Sequence, residues 1–226
     1  MPVDIFEFWS QAGPQDTQHP QDREVFSRLK NRKKNAHRFN LHCLPYCFVG
    51  PLRTAPVVLL YLSLGFTEFD LKQARTSKGR DWVMKSRAGN QSLPGPDDHR
   101  AAWKWWSSHT SAFGNWEEMR DKVAVLDIGA YHSSKFLDWG LLAALPSSRV
   151  SIEWAQTVLF PQAIAGERTV ICLRSPKYWG LDDGKAGRKY PIGLFAPRVQ
   201  QRGHMIRKYP LRQQIIDSVR ARLKLK

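Results

Sequence analysis

The sequence predicts an α/β fold, a three-layer α/β/α domain built on a central four-stranded parallel sheet. Two observations predict it. Pro56–Leu64, Val123–Ile128 and Thr169–Leu173 are continuous apolar runs of strand length, the pattern of strands buried on both faces. Stretches of helical periodicity lie between them, around Trp103–Trp116 and from about Ile152 to Phe160. Strands that alternate with helices pair in parallel through crossover connections.

Taken in chain order, Ile5, Phe6, Phe8 and Trp9 form an apolar docking segment, followed by a Gly/Pro/Gln-rich loop to about Gln21. Arg28, Lys30, Arg32, Lys33, Lys34 and Arg38 follow with no acid among them, either a solvated helix face or a phosphate-contacting patch. Residues 1–45 thus read as an N-terminal extension, carrying the basic run, of a single domain that spans 1–226. Gly65 ends the first strand. Ser77–His99, rich in Gly, Pro, Ser and charge, predicts a long surface loop or lid. The helical spacing of Trp103, Trp105, Trp106 and Trp116 favours core packing over an exposed stacking platform. The second strand ends at Gly129 and the third at Arg174 and Ser175. A weaker extended piece covers Tyr190–Phe195. A helix from about Leu211 to the end then places Ile215, Ile216, Val219 and Leu223 on one face.

Net charge narrows the partner. Lys and Arg exceed Asp and Glu by 15, as expected of a protein that meets a polyanion. The apolar runs fall well short of the ~20 residues of a membrane span, and Met1 is not followed by a secretory signal pattern. A monomeric cytoplasmic protein without membrane attachment is expected. Cys43, Cys47 and Cys172 are expected to be reduced structural thiols, because Cys43 and Cys47 lack His or Cys partners at metal-site spacing. No metal or cofactor is expected.

In a parallel sheet the ligand sits beyond the carboxyl ends of the strands. The residues found there are Ser63, Gly65, Phe66, Glu68 and Asp70 after the first strand, and Asp127, His132 and Ser133 at the second. Arg174 and Lys177 follow the third, and Arg198, Gln201, Arg202 and His204 the fourth. Aromatic faces stack on bases while cations hold phosphates. Asp127 directly ends an apolar strand, so its carboxylate must be paired or face a cleft.

The strand order, together with Val-Val-Leu-Leu-Tyr-Leu-Ser-Leu-Gly-Phe, Ala-Val-Leu-Asp-Ile, Val-Ile-Cys-Leu-Arg-Ser and Phe-Ala-Pro-Arg-Val-Gln-Gln-Arg-Gly-His, resembles the uracil-DNA glycosylase superfamily from about Cys47 to the final helix. The resemblance implies a uracil-DNA glycosylase-like fold. It also implies hydrolysis of the N-glycosidic bond of uracil or a related deaminated base in DNA, as in base-excision repair. Ser63 and Leu64 stand where the family has its water-positioning residue and proline, and Gly65 is kept. Asp127 matches in position the family's base-reading Asn. Ala196 and Pro197 match His-Pro of the last motif, so the histidine is missing.

Replacements are at hand. Glu68 or Asp70 can hold the water, His132 can bond the base, and Arg198 or Arg202 can stabilise the departing anion. Ser63, Gly65, Phe66, Asp127 and Ser133 are expected to hold the base, and Arg174, Lys177, Gln201 and His204 the DNA. The alternatives are that Glu68 and Asp70 cap a helix, that His132 and Ser133 satisfy a turn, and that the two arginines are surface cations. At the level of function, the alternatives are a non-catalytic binder of uracil or abasic sites and a nucleotide- or RNA-acting enzyme of the same fold.

Overall fold

The structure is a computed structural model that describes residues 3–29, 38–135, 139–181, 190–197 and 211–224. Its strands are β1 (Phe48–Val49), β2 (Val57–Ser63), β3 (Val123–Gly129), β4 (Thr169–Cys172) and β5 (Leu194–Phe195), in one sheet of order β1-β3-β2-β4-β5. The four strands expected from the apolar runs are β2 to β5. β2 pairs with β4 and β4 with β5 in parallel. Val57 N donates to Lys122 O and Ser133 N to Leu64 O, so numbering rises together along β2 and β3, and they too are parallel.

The sheet is nevertheless mixed and five-stranded, which corrects the expectation of four purely parallel strands. Asp127 N donates to Cys47 O and Tyr46 N to Ala130 O, so β1 runs antiparallel along β3. This edge strand contributes only two residues, too few to leave a hydrophobic pattern, yet it satisfies backbone groups on β3 that burial would otherwise orphan.

The helices are α1 (Ile5–Ser10), α2 (Arg23–Leu29), α3 (Glu68–Arg75), α4 (Ser77–Arg87), α5 (Arg100–Thr110), α6 (Trp116–Met119), α7 (Trp139–Ala144), α8 (Pro146–Trp154), α9 (Phe160–Ile164) and α10 (Arg212–Leu223). A π-helical segment at Ala155–Leu159 joins α8 to α9. The chain divides into two compact units, residues 1–48, 62–89 and 127–154, and residues 49–61, 90–126 and 155–226. Among the described residues no helix is long and apolar enough to cross a membrane.

In the first unit the N-terminal segment is part of the core. Asp4 caps α1 by accepting from Phe6 N at 2.9 Å, and Ile5, Phe6, Phe8 and Trp9 are buried. Trp9 donates its indole N–H to Cys47 Sγ at 3.0 Å. Arg87 is buried with its guanidinium donating to the carbonyls of Pro45, Ala12 and Gly13, each at 3.0 Å. Burial lowers its pKa to about 10. A second buried node is Asp22, which accepts from the Tyr131 hydroxyl at 2.7 Å and from Ser147 N at 3.0 Å.

Helix α4 overturns the first half of the loop or lid expected over Ser77–His99, and residues 88–99 are a loop without helix or strand. Thr76 Oγ1 caps the helix by accepting from Gly79 N at 3.1 Å, and Trp82, Val83 and Ser86 form its buried face. Three inward side chains at i, i+1 and i+4 suffice to seat a helix. The surrounding charges masked that periodicity.

In the second unit α9 and α10 pack on β4, and α10 buries Ile215, Ile216, Val219 and Leu223 as its periodicity predicts. Trp106 and Trp116 are buried, while Trp105 is 40% exposed and stacks on His109 with centroids 3.8 Å apart. The expected core role therefore fits Trp106 and Trp116 and fails for Trp105, which lies about 100° round the helix from Trp106. Cys43, Cys47 and Cys172 are free and buried. Burial pushes the thiols of Cys43 and Cys47 up to about 12, and that of Cys172 up as well, so all three are poor nucleophiles.

Candidate functional site

The ends of β2 and β3 and the segment at Phe39–Tyr46 converge within the first unit. The chain leaves β2 through half-buried Ser63, exposed Gly65 and half-buried Phe66, then enters α3 at Thr67. A Cβ built at Gly65 meets nothing within 4 Å, so no steric demand fixes a glycine there. Ser133 N donates to Leu64 O, and an isolated antiparallel bridge joins Phe39 to Ser133. Asn40 N donates to His132 O at 2.8 Å. These bonds hold three sequence-distant strips side by side.

Asp70 belongs to a capping box. Its Oδ2 accepts from Thr67 N at 2.6 Å and from Thr67 Oγ1 at 2.8 Å, which satisfies orphan donors at the start of α3. Glu68, in the first turn of α3, is exposed. His132 is buried and its Nδ1 lies 2.8 Å from Gly65 O. A carbonyl only accepts, so this bond puts the proton on Nδ1. The same nitrogen stands 3.7 Å from Asp70 Oδ2, and the ring meets Tyr46 edge-on at 5.3 Å. Ser133 Oγ donates to Lys135 O and accepts from Lys135 N, so it serves the turn.

Asp127 is buried on β3, and among the described residues its carboxylate meets no hydrogen-bond donor. Burial pushes its pKa up to about 8, so it is mostly protonated at neutral pH. Tyr46 is also raised, by burial first and then by the charges of Asp70 and Asp127. A neutral carboxyl is a donor as well as an acceptor.

A cleft of about 500 Å³ opens in the same unit at Phe39, Phe66 and Ser134. Phe26, Phe39 and Phe66 supply aromatic wall, and Gln18, Arg38, Asn40, His42 and Ser134 supply polar groups. Of the residues expected at the site, Phe66 lines it. Asp70, Asp127, His132 and Ser133 lie in the same unit without lining it. Arg174, half-buried, and Lys177, exposed, follow β4 in the second unit. Arg198, Gln201, Arg202 and His204, together with Lys30, Arg32, Lys33 and Lys34 of the basic run, lie outside the described residues.

Gln18, Phe39, Asn40 and Tyr46 went unnoticed in the sequence, and His42 is weighed there only as a neighbour of Cys43. For the residues from Phe39 to Tyr46 the only signal is proximity to Arg38, because a long-range bridge carries them to the end of β3. Among the described residues no group of three or more His, Cys, Asp or Glu side chains gathers to hold a metal. No known protein family, curated protein or solved structure matches the chain.

Proposed function

We propose that this chain binds DNA, receives a uracil or related deaminated base extruded from the stack in the cleft beside Phe66, and hydrolyses its N-glycosidic bond. One observation carries the reading: a cleft of about 500 Å³ combines three phenylalanines with Arg38, His42 and two side-chain amides on a chain of net charge +15. That volume falls within the ~300–1,000 Å³ of small-ligand sites. Aromatic walls hold any base by stacking, amides read its edge, and a cation holds its phosphate. The reading also carries the three-layer, uracil-DNA glycosylase-like arrangement that the sequence resemblance implies.

Extrusion is required because the C1′–N bond cannot be reached within the duplex. Hydrolysis breaks that bond with its electron pair leaving on the base, water's hydroxyl bonds to C1′, and the water's remaining proton neutralises the base anion. Glu68 is exposed and two residues from Phe66 of the cleft wall, whereas exposed Glu24, two residues from Phe26, is paired with Arg28, so Glu68 is the group this reading assigns to the water. A second reading, capture without turnover, is favoured by the other two carboxyls. Asp70 is committed to the Thr67 cap, and Asp127 carries its proton at neutral pH.

Labelled duplexes with a single uracil, hypoxanthine, xanthine or abasic site decide between them. Strand breaks after alkali, above a protein-free blank, establish glycosylase action. Retarded but intact DNA with preference for a damaged site establishes capture. Neither break nor preference removes both readings.

A further inference from the structure

We infer that the α3–α4 hairpin is a phosphate clamp for the backbone of duplex DNA, an interaction surface that rests on the DNA-binding reading above and specifies where the polyanion lies. The hairpin belongs to the same unit as the cleft and begins two residues after Phe66.

The observation is an uncompensated cluster of cations. Lys72 and Arg75 occupy the last turn of α3, and Lys78, Arg80 and Lys85 follow on α4. Lys72, Arg75, Lys78 and Lys85 are exposed, and Arg80 is half-buried with its guanidinium donating to Ala74 O at 3.4 Å. None of the five forms an ion pair among the described residues, although Asp81 lies on the same helix. Elsewhere the described surface does neutralise cations, as in Arg23 with Asp16 and Arg120 with Asp98.

Geometry holds the charges together. A Cβ at Gly79 would stand 2.3 Å from Gln73 O and 2.5 Å from Gln73 Cα, so the two helices meet backbone to backbone at that point. An approach so close sets the end of α3, with Lys72 and Arg75, beside the start of α4, with Lys78 and Arg80. Like charges confined in this way repel one another. An external array of anions relieves the repulsion. Lys78 and Lys85 are seven residues apart, about 10 Å along a helix, so they can meet different phosphates of one DNA strand. Trp82, Val83 and Ser86 are buried on α4, and Lys78 and Lys85, both exposed, share one flank of that face within about 20° of each other.

The test is the salt dependence of binding by the full chain to a 20-base-pair duplex, compared with a K72Q/R75Q/K78Q variant and with an R149Q/R220Q/K224Q control. Wild type is expected to lose affinity steeply with salt. The hairpin variant is expected to lower the slope of log Kd against log salt by about 0.9 for each phosphate it no longer neutralises, close to 3 in all, and the control to lower it by less than 1. Equal slopes for wild type and hairpin variant overturn the clamp while leaving DNA binding intact, and so do equal reductions in the hairpin variant and the control. A wild-type slope near zero fails the underlying reading instead. Vesicles with 30% phosphatidylserine form a second arm: loss of vesicle binding with unchanged DNA binding assigns the hairpin to a membrane surface and overturns the clamp.

Discussion

Replacing Asp127 by asparagine should flatten the dependence of stability on pH. The side chain is 2% exposed, and burial alone raises its pKa from 3.8 to about 8. Between those values the folded chain keeps the proton that the unfolded chain releases. The stabilising contribution is thus complete in acid and is lost as pH rises through the folded value. Each pH unit costs about 1.4 kcal/mol, so this one group removes about 4 kcal/mol between pH 5 and pH 8. Asparagine keeps the shape and cannot ionise. Urea denaturation followed by the fluorescence of the 9 tryptophans measures both chains at pH 5, 6, 7 and 8. The variant should gain on wild type by roughly 4 kcal/mol across that range, less whatever relaxation lets water reach the carboxylate. Two curves that run parallel from pH 5 to pH 8 would show that Asp127 ionises normally, and the account of its burial would fail.

Two further outcomes follow from the same site. Phe66→Ala should weaken capture of a uracil-containing oligonucleotide by about 1–3 kcal/mol, the worth of one stacked base, without a comparable drop in melting temperature, because the ring is half-buried; unchanged affinity in a binding titration would remove it from the cleft's function. Asp70→Asn should lower stability by about 1 kcal/mol through the weakened cap and leave the single-turnover rate on uracil duplex near wild type; a rate loss at unchanged stability would instead make Asp70 a catalytic residue.

The parts of the fold that were legible share a cause. Val57–Ser63, Val123–Gly129 and Thr169–Cys172 are buried on both faces, so their apolar runs are unbroken, and α10 shows its four inward residues at helical spacing. Phe48–Val49 is a strand because of what β3 offers it, and no local pattern announces that. In Ser77–Arg87 the glycine and charges that suggest a loop surround inward-facing Trp82, Val83 and Ser86. At the site, Asp127 was conspicuous as an acid ending an apolar strand. The cleft was not, since its wall at Phe39–His42 reaches Ser133 through a bridge across more than ninety residues of sequence.

Asp22 sets a timetable for the first unit. Its two buried partners, Tyr131 and Ser147, come 109 and 125 residues later in the chain. At a synthesis rate of about 5–20 residues per second, the ribosome delivers the second of them roughly 6–25 s after Asp22 itself. During that interval the carboxylate remains hydrated, and Ile5, Phe6, Phe8 and Trp9 have no finished core to enter. The nascent N-terminal segment is then a hydrophobic peptide awaiting its acceptors, open to chaperone capture or to association with neighbouring chains on the same message.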